Sequence, residues 1–335
     1  MVEFLIDMTD TDCTFLPIGA WEATFRGWHI VDVAVRDLNV VYLALRQSIS
    51  DEQASLAWEH DIPSRLAALY LDETDPGEQW SHQGLTGFAL TRCTAGQEPH
   101  RQGIALSLNG DALAMGSGHN AMENVNIQGE QVVLHRGRSI AGRPYAVGMF
   151  RDVYRRVDVG RWELLARGLP DLARAEMSAT KLVTFGFHDI DGFAEDDLYA
   201  VGGKGDVWHY DSLRWSPCKF PSKLPLFTVC CAGDGQVYIS GEGGTLFQGR
   251  GDTWRKIWKA DMSIPYNDTR WFDGTLWLAS DYVLDWLVDG QVGRANQLGA
   301  RGHLDAADGI LVVASLDEVR MFDGRLWRVL VRPFQ

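Results

Sequence analysis

Apolar runs of about five residues recur along the chain, broken by Gly and Asp. Runs of that length, many alternating apolar with polar positions, predict strands rather than helices. Four segments align: PYAVGMFRDVYRRVDVGRW (144–162), LYAVGGKGDVWHYDSLRW (198–215), VYISGEGGTLFQGRGDTW (237–254) and LVVASLDEVRMFDGRLW (311–327). A fifth, LWLASDYVLDWLVDGQV (276–292), fits but lacks the closing Trp. The anchors Tyr145, Tyr199, Tyr238, Trp277 and Val312 are 54, 39, 39 and 35 residues apart. Trp162, Trp215, Trp254 and Trp327 follow their anchors by 17, 16, 16 and 15 residues.

Each unit reads as four strands. In the best one VTFGFHDIDG is strand A, DLYAVGG strand B, GDVWHYD strand C and RWSPCKF strand D. The predicted separators include Asp191-Gly192, Gly202-Gly203, Asp211-Ser212, Asp273-Gly274, Asp289-Gly290, Asp308-Gly309 and Asp323-Gly324. Such pairs supply the positive φ of tight hairpin turns. A four-stranded unit near 40 residues, repeated, predicts an all-β propeller. A lone blade cannot bury both faces of its sheet, so the repeated aromatics belong between blades.

The first 140 residues fit this frame less closely. HIVDVAVRDLNVVYLALR (29–46) and QGIALSLNGDALAMGSG (102–118) each read as an A–B hairpin, SLAWEHD (55–61) as a third strand, and ENVNIQGEQVVLHR (123–136) as the continuation of the second unit. Seven blades result, at about 26–79, 80–137, 138–181, 182–223, 224–262, 263–298 and 299–335, with six or eight left open. The whole of 1–335 is expected to form one propeller domain, 1–25 packing on or closing the ring. Residues 64–84 begin helix-like and turn polar, which suggests an insertion.

Gly202, Gly203, Tyr210, Asp211 and Trp215 resemble the kelch pattern of a Gly pair after strand B, Tyr-Asp closing C and Trp opening D. The units also resemble bacterial Asp-box and photosystem-assembly-factor-like propellers: Gly251, Thr253 and Trp254 fit an Asp box in which Gly249 replaces the Asp. The resemblance covers about 143–332 and implies a fold.

Charge narrows the partners. The chain carries −14; residues 1–90 hold 15 acids and 4 Arg, hence −11, while 91–174 hold 11 Arg and 8 acids, hence +3. This balance argues against a nucleic-acid partner, which demands a basic footprint, and suits a basic protein. No apolar stretch approaches a membrane span and no leader pattern opens the chain, so a cytoplasmic protein without a membrane partner is expected. Five cysteines (Cys13, Cys93, Cys218, Cys230 and Cys231) without a CxxC pair predict reduced thiols.

Signatures of catalysis are missing: no GxSxG, HExxH, Walker A or GxGxxG motif occurs. Gly116-Ser117-Gly118-His119 reads as a B–C turn, and His188-Asp189-Ile190-Asp191 with Glu195, Asp196 and Asp197 as a solvated A–B turn matching only the first two EF-hand positions. No catalytic residue, metal ligand or cofactor site is expected.

In a propeller the B–C loops and D–A connections share one face. There the sequence places Glu242, Asp281, Tyr282, Asp317 and Glu318, the loop His119-Asn120, and, between the fifth and sixth blades, Asp261, Tyr266 and Asp268. Acids mixed with Tyr suit a protein partner bearing Arg or Lys anchors. The expectation is a non-enzymatic protein-binding propeller. An acidic single-domain propeller resembles, at the level of class, bacterial immunity proteins that neutralise basic toxin domains. The alternatives are a small-molecule or glycan-binding propeller and a sialidase-like hydrolase; no Arg-Ile-Pro start of the latter is present.

Overall fold

A computed structural model describes residues 18–75, 77–126, 129–170, 186–260, 263–295 and 299–333. They form seven four-stranded antiparallel sheets, at 28–85, 92–124, 134–164, 187–217, 226–259, 268–294 and 303–331, each in the order A-B-C-D. The protein is an all-β seven-bladed propeller. The innermost strands A are Trp28–Asp37, Arg92–Gly96, Leu134–Ile140, Phe187–Ala194, Leu226–Cys231, Asp268–Phe272 and His303–Ala307, each against the next and the seventh against the first. No helix among the described residues is long and apolar enough to cross a membrane.

The predicted sandwich of aromatics between blades is what the sheets bury. Seven apolar clusters occupy the seven boundaries between neighbouring blades. The anchors Tyr145, Tyr199, Tyr238, Trp277 and Val312 all lie on strands B and are buried. Trp162, Trp215, Trp254 and Trp327 all lie on strands D; the first two are buried and the last two half-buried. At Asp273-Gly274, Asp289-Gly290 and Asp308-Gly309 both residues have positive φ, the backbone of a tight hairpin whose twist matches its strands. Close packing also fixes Gly103 on strand B of blade 2: a Cβ there would stand 2.4 Å from the ring of Tyr42.

Blade 1 departs from the sequence reading. Residues 64–84 are no insertion: Ser64–Tyr70 is strand C, paired with Val40–Arg46, and Trp80–Leu85 is strand D. Strand C is buried on both sides, so its Leu/Ala-rich run lacks alternation and imitates a helix. The segment 55–61 is not a strand either. A helix, α1 (Ile18–Thr24), precedes blade 1, and a second, α2 (Asp51–Leu56), opens the excursion between its strands B and C. Around α2, Ser50 caps the helix and Gln53 returns the bond, a capping box. In blade 2 the hairpin at 102–118 is B–C, because Arg92–Gly96 supplies strand A. His119-Asn120 therefore belongs to a C–D turn on the opposite face.

Carboxylates on strands A fasten the ring. Asp32 accepts the Cys93 N–H (3.0 Å), Asp189 that of Val229 (3.0 Å), Asp191 that of Cys231 (2.8 Å) and Asp305 that of Val35 (2.9 Å), each in the next blade. Asp189 and Asp191 are thus strand residues and not a solvated turn; the turn is Glu195-Asp196. The last bond joins blade 7 to blade 1. That seam also holds the Ile30 N–H donated to Leu316 O (2.8 Å) and a cluster to which α1 adds Ala20 and Trp21. Among the described residues no strand is exchanged across it: each of the seven sheets comes from one stretch of chain.

Candidate partner-binding face

Strand order alone puts the B–C loops and the D–A connections on one face of the ring, here called upper. Short polar side chains shape these loops. Ser280 Oγ accepts the N–H groups of Tyr282 (3.3 Å) and Val283 (3.2 Å), and Ser315 Oγ that of Glu318 (3.1 Å). These local bonds replace backbone partners and turn Tyr282 and Leu316 outward, 66% and 58% exposed. In blade 5, Gly243 at φ 65° permits the tight turn that presents Glu242.

The structure separates the residues expected at this face. Asp281, Tyr282 and Asp317 come together on one cavity of about 700 Å³ at the channel mouth. Glu242 is exposed on the same face, outside that cavity. Glu318 is half-buried and paired with Arg320 at 2.5 Å. Tyr266 and Asp268 are buried and are corrections to the sequence reading. Tyr266 donates its hydroxyl to Asp285 (2.6 Å). Asp268 accepts from Arg136 Nη1, Arg138 Nη2 and His303 Nδ1, each at 2.9 Å, and the guanidinium charges override burial to hold its carboxyl well below the usual range. Neither can touch a partner directly. Asp261 lies outside the described residues.

A larger element of this face escaped the sequence reading. The excursion of blade 1 carries Leu56 (81% exposed) and Trp58 (73%). Around them stand Asp51, Glu52, Glu59 and Asp61, and Glu59 anchors the loop to Arg46 at 3.1 Å. A Trp followed by Glu-His-Asp after a Ser-x-x-Gln cap was the available signal, hidden by assigning 55–61 to a strand. Large exposed apolar side chains rimmed by carboxylates are the composition of a protein-docking surface.

Below the mouth, Asp32, Asp268 and His303 place one potential ligand atom each within 4.8 Å of one another. They do not fit a cation. Asp32 is engaged by the Val33 and Cys93 N–H groups, and two guanidinium groups already neutralise Asp268. Cys93, Cys218, Cys230 and Cys231 are free, and burial pushes their thiols up, that of Cys218 to about 12, so none is poised as a nucleophile.

Fold and loops together define a seven-bladed propeller whose upper face exposes Leu56, Trp58, Tyr282 and Leu316. No family model matches the chain. Its sequence is 34% identical over 306 residues to the immune protein Tsi7 of Pseudomonas aeruginosa, across 88% of this chain and 94% of that protein. The chain belongs to the Tsi7 family. Among solved structures it is similar to the WD40 propeller of Doa1 (TM-score 0.60, 13% identity, 88% of this chain and 93% of that one). It is also similar to YCF48 bound to D1 peptide (0.54, 13%, 92% and 94%), in line with the photosystem-assembly-factor resemblance of the repeats. PorZ of Porphyromonas gingivalis shares the fold over 92% of this chain and 39% of its own (0.57, 10%).

Proposed function

We propose that the chain is an immunity protein that works in the cytoplasm, without catalysis, by binding a basic toxin domain through its upper face. Kinship with an immune protein supports the immunity reading. The observation that carries the choice of face is the exposure of Trp58, Tyr282 and Leu316 among Asp51, Glu52, Glu59, Asp281 and Asp317. Aromatic and aliphatic groups supply the desolvated anchor; surrounding carboxylates steer a basic partner into register.

The test is capture from lysate of the native host, followed by co-expression of the captured protein with this chain. Relief of that protein's toxicity supports the reading. The double reversal Asp281→Lys, Asp317→Lys should weaken binding by about tenfold or more and flatten its salt dependence. Glu242→Lys, outside the cavity, should act chiefly on the association rate. Captured toxins that are acidic, or binding indifferent to the double reversal, would refute it.

A further inference from the structure

The cavity at the channel mouth has a chemistry opposite to its rim. It opens between blades 6, 7, 1 and 2, and in a chain of net charge −14 its wall carries Arg46, Arg92 and Arg301 against Asp281 and Asp317. Arg46 is neutralised by Glu59, outside the wall. Arg92 donates from Nη1 to the Val31 carbonyl at 2.8 Å, which fixes the guanidinium without supplying a counter-charge. Among the described residues Arg301 has no ion pair.

His303 lines the cavity too. Its Nδ1 lies 2.9 Å from Asp268, which engages that side of the ring. Ile30, Leu90 and Leu316 give the wall an apolar part beside the polar His29 and Ser315, with the ring of Tyr282 at the lip. About 700 Å³ lies within the range of small-molecule sites.

We propose that this cavity binds a small organic anion, a phosphate or carboxylate carried on an apolar or aromatic body. Arg301 and Arg92 hold the anionic head, and Ile30, Leu90 and Leu316 with the ring of Tyr282 cover the body. Guanidinium groups suit such heads because their paired N–H donors match two oxygens at once. The site shares Tyr282 and Leu316 with the proposed docking face, but its occupancy needs no protein partner.

Calorimetric titration of the purified chain with phenyl phosphate, benzoate and inorganic phosphate tests it. One of the two aromatic anions should bind saturably and more tightly than inorganic phosphate, and which one identifies the head group preferred. Arg301→Ala should weaken that binding about tenfold or more. Arg214→Ala, on a lower C–D turn, should change nothing. The proposal is overturned if neither aromatic anion saturates up to about 10 mM, or if Arg214→Ala and Arg301→Ala act alike. Anion binding that survives while toxin capture fails would sink the previous reading alone, and the converse would sink this one alone.

Discussion

Replacing Glu123 by Gln should cost about 3–5 kcal/mol of stability, although the side chain barely changes shape. Glu123 on strand D of blade 2 accepts from Arg156 Nε (3.0 Å) and Nη2 (2.6 Å) and from Trp162 Nε1 (2.9 Å), both in blade 3. Arg156 is fully buried and its other acceptor is the neutral Gln102 (3.1 Å). The Gln amide would turn a donor toward groups that only donate, and it would leave the guanidinium charge enclosed without a counter-ion. Removing one partner of a buried pair carries that full penalty, whereas removing both does not. The double variant Glu123→Leu, Arg156→Met should therefore recover part of the loss, falling short by about 2 kcal/mol for the stranded Trp162 N–H and Gln102 side-chain carbonyl oxygen. Urea unfolding checks both, comparing midpoints where the slope is unchanged. A Glu123→Gln cost under about 1 kcal/mol, or a double variant worse than the single, would refute the reasoning.

Trp215→Ala should destabilise by about 3–5 kcal/mol, because its ring is buried against Phe187 and Tyr210 and its N–H reaches Leu165 O; the same change at half-buried Trp254 should cost clearly less, and equal losses in chemical denaturation would contradict this packing. Burial, then His188 and Arg136, push the His135 imidazole down to about 4. Below its ordinary value near 6.5 the unfolded chain takes up the proton first, so its contribution to stability is lost as pH falls from about 6.5 to about 4, by up to roughly 3 kcal/mol. Burial raises Asp191 and Asp305 to about 7, which acts oppositely, but they are common to wild type and His135→Leu. The variant should lose less stability across that range, and parallel pH profiles would count against it.

The repeat was legible because one kind of residue served one purpose four times: a Trp on strand D and an apolar anchor on strand B, at a fixed offset. Blades 1 and 2 were harder to read. Ser64–Tyr70 is enclosed on both faces, which erases the alternation that marks a strand. Loop positions were legible where Asp-Gly turns set the frame, so Asp281, Tyr282 and Asp317 were placed together. Burial was not. Asp268 reads from sequence as one more loop acid; its place in the channel depends on Arg136 and Arg138, more than a hundred residues away. The −11 of residues 1–90 suggested an acidic zone without showing that part of it rings Trp58.

Because no strand among the described residues is lent across the seam, the repeating unit of this ring is a whole blade. Every D–A connection, such as the one at 218–225, is a point where a complete four-stranded module could be duplicated or deleted without unpairing any ladder. Only the boundary layer of apolar side chains would have to be rebuilt, together with one carboxylate reaching for its neighbour's N–H. A propeller closed in this way can change its circumference in a single genetic step and afterwards adjust the new boundary one residue at a time.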